Sequence, residues 1–88
     1  MDASITCDDD AFFDETWHFE CTTKGVVEKV QVEFLLDGSS AGLMGLNDGE
    51  VWSGEAFETT VGAGCADEVD FLFRAEGDGI IDELTIRP

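Results

Sequence analysis

Val26-Val27-Glu28-Lys29-Val30-Gln31-Val32-Glu33-Phe34-Leu35-Leu36 decides how this chain folds. A strand sends alternate side chains to opposite faces, so Val26, Val30, Val32, Phe34 and Leu36 gather on one side while Val27, Lys29, Gln31, Glu33 and Leu35 take the other. One face is apolar and the other carries the charge, which predicts a half-buried β-strand over residues 26–36. Asp37-Gly38-Ser39-Ser40 then supplies the turn residues that end it.

The same period of two recurs on both sides. Residues 16–22 place Trp17, Phe19 and Cys21 inward and His18 and Glu20 outward. Ala3, Ile5 and Cys7 share a face of a short first strand. Downstream, residues 50–61 read as a longer strand with a bulge or loose edge near Gly54, and residues 62–66 as a loop. Val69, Phe71, Phe73 and Ala75 alternate with Asp70, Leu72 and Arg74, and Glu76-Gly77-Asp78-Gly79 turns that strand into a hairpin with residues 80–87. Residues 41–47 carry two glycines and fit a loop or short edge strand better than a helix. The expected fold is all-β: a single small antiparallel β-sandwich over residues 1–88, immunoglobulin-like, with six to seven strands.

At 88 residues the chain has room for one domain, which buries only about 60–65% of its extended surface. A hydrophobic content of 43%, with seven Phe and two Trp, is too apolar for a disordered acidic tail. No run approaches the roughly 18 apolar residues that span a bilayer. The opening Met1-Asp2-Ala3-Ser4 lacks the basic and apolar segments of a secretion signal, so a complete cytoplasmic protein is the expectation. An extracellular or cell-surface location is the alternative. Three cysteines, Cys7, Cys21 and Cys65, favour free thiols in a reducing compartment over a disulfide framework, with one disulfide plus one free thiol left open.

Charge bounds the partners. Twenty-one carboxylates against four Lys and Arg give −17, and no basic side chain lies between Lys29 and Arg74. At about 0.1 M salt the Debye length is roughly 10 Å, so these charges add into one negative potential. DNA, RNA and anionic membranes are therefore excluded as direct ligands. A basic protein surface, a cation or water remains. Composition leaves the oligomeric state open.

Catalysis needs a positioned base, nucleophile or metal, and the candidates are few. His18 is the only histidine; three positions from Cys21 on a strand, it points to the opposite face, which removes that thiol-imidazole pair. Cys7, His18, Cys21 and Cys65 lack the close cysteine spacing of structural zinc sites, so the thiols read as small hydrophobes. Among twenty-one acids some pair will match glycosidase geometry by chance, which carries no information. The chain is expected not to be an enzyme and to hold no cofactor. Calcium is the weaker alternative, through Glu76, Asp78 and Asp82, and neither that loop nor Asp8-Asp9-Asp10 with Asp14 matches the twelve-residue EF-hand pattern.

The run Gly77-Asp78-Gly79-Ile80-Ile81-Asp82 resembles a fragment of extracellular calcium-loop repeats. Residues 32–38 resemble a strand and turn of immunoglobulin-like adhesion modules, and residues 82–86 the last strand of some carbohydrate-binding jelly rolls. These matches are too short to imply a family. In size and charge the chain resembles proteins that block restriction or CRISPR machinery. The leading expectation is a non-catalytic inhibitor that docks on a basic, nucleic-acid-binding surface as a DNA mimic, of anti-CRISPR or anti-restriction type. Its contacts would be Asp8, Asp9, Asp10, Asp14, Glu15, Asp67, Glu68 and Asp70. The alternative is a halophilic extracytoplasmic β-sandwich module for adhesion, carbohydrate or calcium binding.

Overall fold

A computed structural model describes residues 1–9 and 14–88, with the backbone alone for Ile80. Seven strands are present among the described residues: β1 (Asp2–Asp8), β2 (Thr16–Thr22), β3 (Lys29–Leu36), β4 (Ser39–Gly45), β5 (Trp52–Phe57), β6 (Asp70–Gly77) and β7 (Ile80–Ile86). They form two antiparallel sheets, ordered β1-β2-β5 and β4-β3-β6-β7. The chain crosses between sheets after β2, β4 and β5, the mark of a sandwich rather than a meander. This is the small antiparallel β-sandwich expected from the sequence, with the fourth strand in the four-stranded sheet, where β4 pairs with β3.

The alternation seen in the sequence becomes the core. Trp17, Phe19 and Cys21 from β2 face Val30, Val32 and Phe34 from β3 and Phe71, Phe73 and Ala75 from β6. Phe71 is the hub, with ring centroids 5.0 Å from Trp17, 5.1 Å from Phe19 and 5.9 Å from Phe34 in tilted or edge-on arrangements. Such geometries add to the area term of burying large rings.

Two tight hairpins fix the four-stranded sheet. Asp37-Gly38 joins β3 to β4 and Asp78-Gly79 joins β6 to β7, with φ of 51°, 80°, 49° and 76° respectively. Positive φ at both central positions matches the right-handed twist of the flanking strands, and Asp-Gly tolerates it. Gly77 has a different reason for being glycine: a Cβ there would strike the carbonyl oxygen of Val26 and come within 2.8 Å of Val27 Cα. The segment before β3 crosses directly over β6 at that point.

Several expectations need correction. The central strand starts at Lys29, and Val26 lies outside it, 75% exposed. Val27, expected outward, instead packs against the core. Of the two readings of residues 41–47, the edge strand holds, as β4, which begins earlier at Ser39 and ends at Gly45. The long strand over 50–61 stops at Phe57, and Glu58–Val61 forms a single helical turn, α1. Its cause is local: Glu58 N–H donates to the Glu15 carbonyl at 2.8 Å, Val61 is fully buried, and Gly62 at φ 87° closes the turn on the Glu58 carbonyl. The expectation of three free thiols also fails. Cys7 is disulfide-bonded to Cys65, and only Cys21 stays free and buried.

Candidate functional site at the acidic pole

Strand register brings many carboxylates to one end. In the three-stranded sheet that end holds Asp8, paired with Thr16, which in turn pairs with Phe57; in the other sheet it holds Leu36, Ser39, Asp70 and Ile86. The Cys7–Cys65 bond ties the two sheets' ends together through the loop after α1. Asp8, Asp9, Asp14, Glu15, Asp37, Glu58, Asp67, Glu68 and Asp70 lie in the strand ends and connections at this end.

These acids divide into two groups by what they touch. Glu15 and Asp67 accept hydrogen bonds from the loop's own amides: Cys65 N–H reaches Glu15 Oε2 at 3.0 Å and Gly64 N–H reaches Asp67 Oδ2 at 2.7 Å. Trp17 Nε1 donates to the Ala63 carbonyl at 3.0 Å, pinning the loop to the core. Gly64 is buried so tightly that a Cβ would sit 2.6 Å from Glu15 Oε1. A short loop leaves backbone donors without ladder partners, and these carboxylates satisfy them. Asp70 is likewise engaged, bound in two-pronged fashion by Arg87 at 2.8 and 3.1 Å; that hydrogen bond above all, then the charge, holds its carboxyl below the usual value.

Asp9, Asp14 and Glu68 form the second group, turned to solvent, with Glu68 3.8 Å from the same Arg87. Asp8 stands between the groups: it is 71% exposed and bonds His18 Nε2 at 2.6 Å, while His18 Nδ1 lies 3.3 Å from Glu55. Asp10 lies outside the described residues, as do the neighbouring Phe12 and Phe13. Of the eight expected contact residues, Asp9, Asp14 and Glu68 face solvent, Asp8 is exposed but bonded to His18, and Glu15, Asp67 and Asp70 serve the fold first.

Sequence reasoning missed Glu58 and Asp37 at this pole, because only the fold brings them there. Glu58 Oε1 receives the Glu15 N–H at 3.4 Å, and Asp37 adds to the field on Arg87. The ligand atoms of Cys7, Glu15 and Cys65 lie within 4.8 Å of one another, but two of them are the bonded sulfurs. His18 points outward and Cys21 inward, as expected. At the opposite end the calcium candidates do not share one face. Glu76 pairs across from Ile81 and binds Lys29 at 3.2 Å, Asp82 is one position out of phase and 3.7 Å from the Met1 amine, and Asp78 occupies the turn.

Carboxylates also cover the rest of the molecule. Asp2, Glu20 and Glu55 stand on the outer side of the three-stranded sheet, and Glu28, Asp48, Glu50 and Asp78 on exposed connections. No helix among the described residues is long and apolar enough to cross a membrane. No protein-family model matches the chain, and no curated protein or solved structure matches it either.

Proposed function

We propose that this chain is a non-catalytic binding module of an oxidising, salt-rich setting outside the cytosol, and that its working end is the acidic pole. The cross-link beneath that pole carries the reading. Cytosolic thiols are kept reduced, whereas small extracytoplasmic domains rely on disulfides to supplement a limited core. Here the bond joins with Glu15 and Asp67 to tie down the 62–69 loop that carries Glu68, with Asp9 and Asp14 exposed on the neighbouring segment. Acids on the three-stranded sheet and the connections, beyond the pole, support salt adaptation: in molar salt the Debye length falls to about 3 Å and self-repulsion is screened. The partner chemistry is cationic, a basic protein surface or a hard cation.

A second reading, a DNA-mimicking inhibitor of a cytosolic enzyme, draws on the cluster Asp8, Asp9, Asp14 and Glu68. It requires a molecule that folds in dilute, reducing buffer. Melting the protein with NaCl raised from about 0.05 to about 2 M, with and without reductant, separates the two. The module reading expects a melting temperature that climbs with salt and falls with reductant. A molecule equally stable in dilute reducing buffer overturns it in favour of the mimic. Titration with an oligolysine peptide, followed by amide NMR, then locates the contact: shifts centred on Asp9, Asp14 and Glu68 are expected, and equal shifts at Asp2 and Asp48 would remove the pole as the site.

A further inference from the structure

The outer face of the four-stranded sheet differs electrically from every other surface. Register sets its rows. Lys29 lies beside Glu76 and Ile81; Gln31 beside Arg74 and Glu83; Glu33 between Leu43 and Leu72; and Leu35 beside Asp70, which Arg87 binds. Three of the chain's four Lys and Arg residues are therefore on this one face, set against four carboxylates. Each charge there has a partner: Lys29 with Glu76 at 3.2 Å, Arg74 with Glu83 at 2.9 Å, Arg87 with Asp70 at 2.8 Å, and Glu33 with the Ser40 hydroxyl at 2.9 Å. The face is nearly neutral in a molecule of −17.

It also carries exposed apolar side chains. Leu43 is 58% and Ile81 63% exposed, and Leu35 and Leu72 are half-buried beside them. A small cleft of about 60 Å³ lies between Leu43 and Leu72, rimmed by Gln31, Glu33 and Arg74.

We infer that this face receives a second copy of the chain. Two bodies of −17 repel through any acidic surface, and on this face cations most nearly balance carboxylates, with Arg74 close to the central Glu33. A twofold contact is self-complementary, so the Leu43 and Leu72 of each copy meet those of the other while the flanking ion pairs lie at the rim. Four strands at ~4.8 Å and seven residues at ~3.4 Å give a flat footprint of roughly 450 Å² per copy. The total of roughly 900 Å² falls below the range of stable specific interfaces and implies a weak dimer, formed when salt screens the remaining charge.

Sedimentation equilibrium tests this on the full chain with its disulfide intact, from about 10 µM to about 1 mM in about 2 M NaCl. A concentration-dependent dimer is expected. Leu43→Asp and Leu72→Asp should each weaken it at least about 100-fold, because a twofold contact buries two unpaired carboxylates per substitution. Phe57→Asp, on the other sheet and 57% exposed, should leave it intact. Unchanged thermal melts of each variant in dilute protein confirm that folding is retained. A monomer throughout, a dimer indifferent to Leu72→Asp, or one lost in Phe57→Asp overturns the inference. None of these outcomes bears on the acidic pole.

Discussion

Removing the Cys7–Cys65 bond, by the double substitution Cys7→Ser and Cys65→Ser, tests how the small core is supplemented. The bond closes a loop with a sequence separation of 58 residues. On the chain-entropy account a loop of that length withdraws about 4 kcal/mol of conformational freedom from the unfolded ensemble. Domains of this size are stable by only about 5–15 kcal/mol, so the loss is a large share of the whole. With about 4–8 °C per kcal/mol, the melting temperature should fall by roughly 15–30 °C. Trp17 is a suitable reporter, since its indole N–H reaches the Ala63 carbonyl in the tethered loop. Fluorescence melts of wild type and variant in the same high-salt buffer measure the shift. Alkylation of the unfolded, unreduced protein should modify one thiol only, Cys21, whose burial raises its pKa and protects it in the native state. A shift under about 5 °C, against the loop-entropy expectation, or three alkylated thiols would refute the tether.

Phe71→Ala removes the ring that touches Trp17, Phe19 and Phe34, and urea unfolding should show a loss of about 3–5 kcal/mol. Gly77→Ala drives a methyl group into the Val26 carbonyl and strains the Glu28 N–H to Glu76 carbonyl bond of 2.8 Å; a loss of roughly 2 kcal/mol is expected by the same assay, and a neutral result would contradict the crossing of that segment over β6. Asp70 should titrate below its ordinary 3.8 because Arg87 hydrogen-bonds its charged form. The pair therefore stabilises the fold above that ordinary value and ceases to do so as pH falls through the lower native value. Carboxyl NMR in low salt should show the depressed midpoint returning toward 3.8 in Arg87→Ala, and an unmoved midpoint would show that the guanidinium is not its cause.

The strands of the core were legible wherever apolar residues recur at every second position with charge between them, as in β2, β3 and β6. β4 was legible only as one of two options, loop or edge strand, because Ala41, Leu43 and Met44 put apolar groups on both faces and two glycines dilute the pattern. α1 is too short for a helical period to register, and only Gly62 marks its end. The disulfide was not legible, since nothing local relates Cys7 to a cysteine 58 positions away; three crossings between sheets bring them together. At the pole, exposure of Asp9, Asp14 and Glu68 followed from loop composition. The engagement of Glu15 and Asp67 did not, because it depends on which loop amides the fold leaves without acceptors.

The covalent loop has a mechanical corollary. Tension applied through the two ends of the chain passes along residues 1–7, across the sulfur bridge and out along residues 65–88. Strands β2 to β5 lie in the bypassed segment and bear none of that load. At about 3.5 Å per residue, roughly 200 Å of contour stays locked away until the bridge is reduced. A molecule pulled while oxidised can surrender only its first strand and its last hairpin, and chemical reduction would release the remainder as a single long extension.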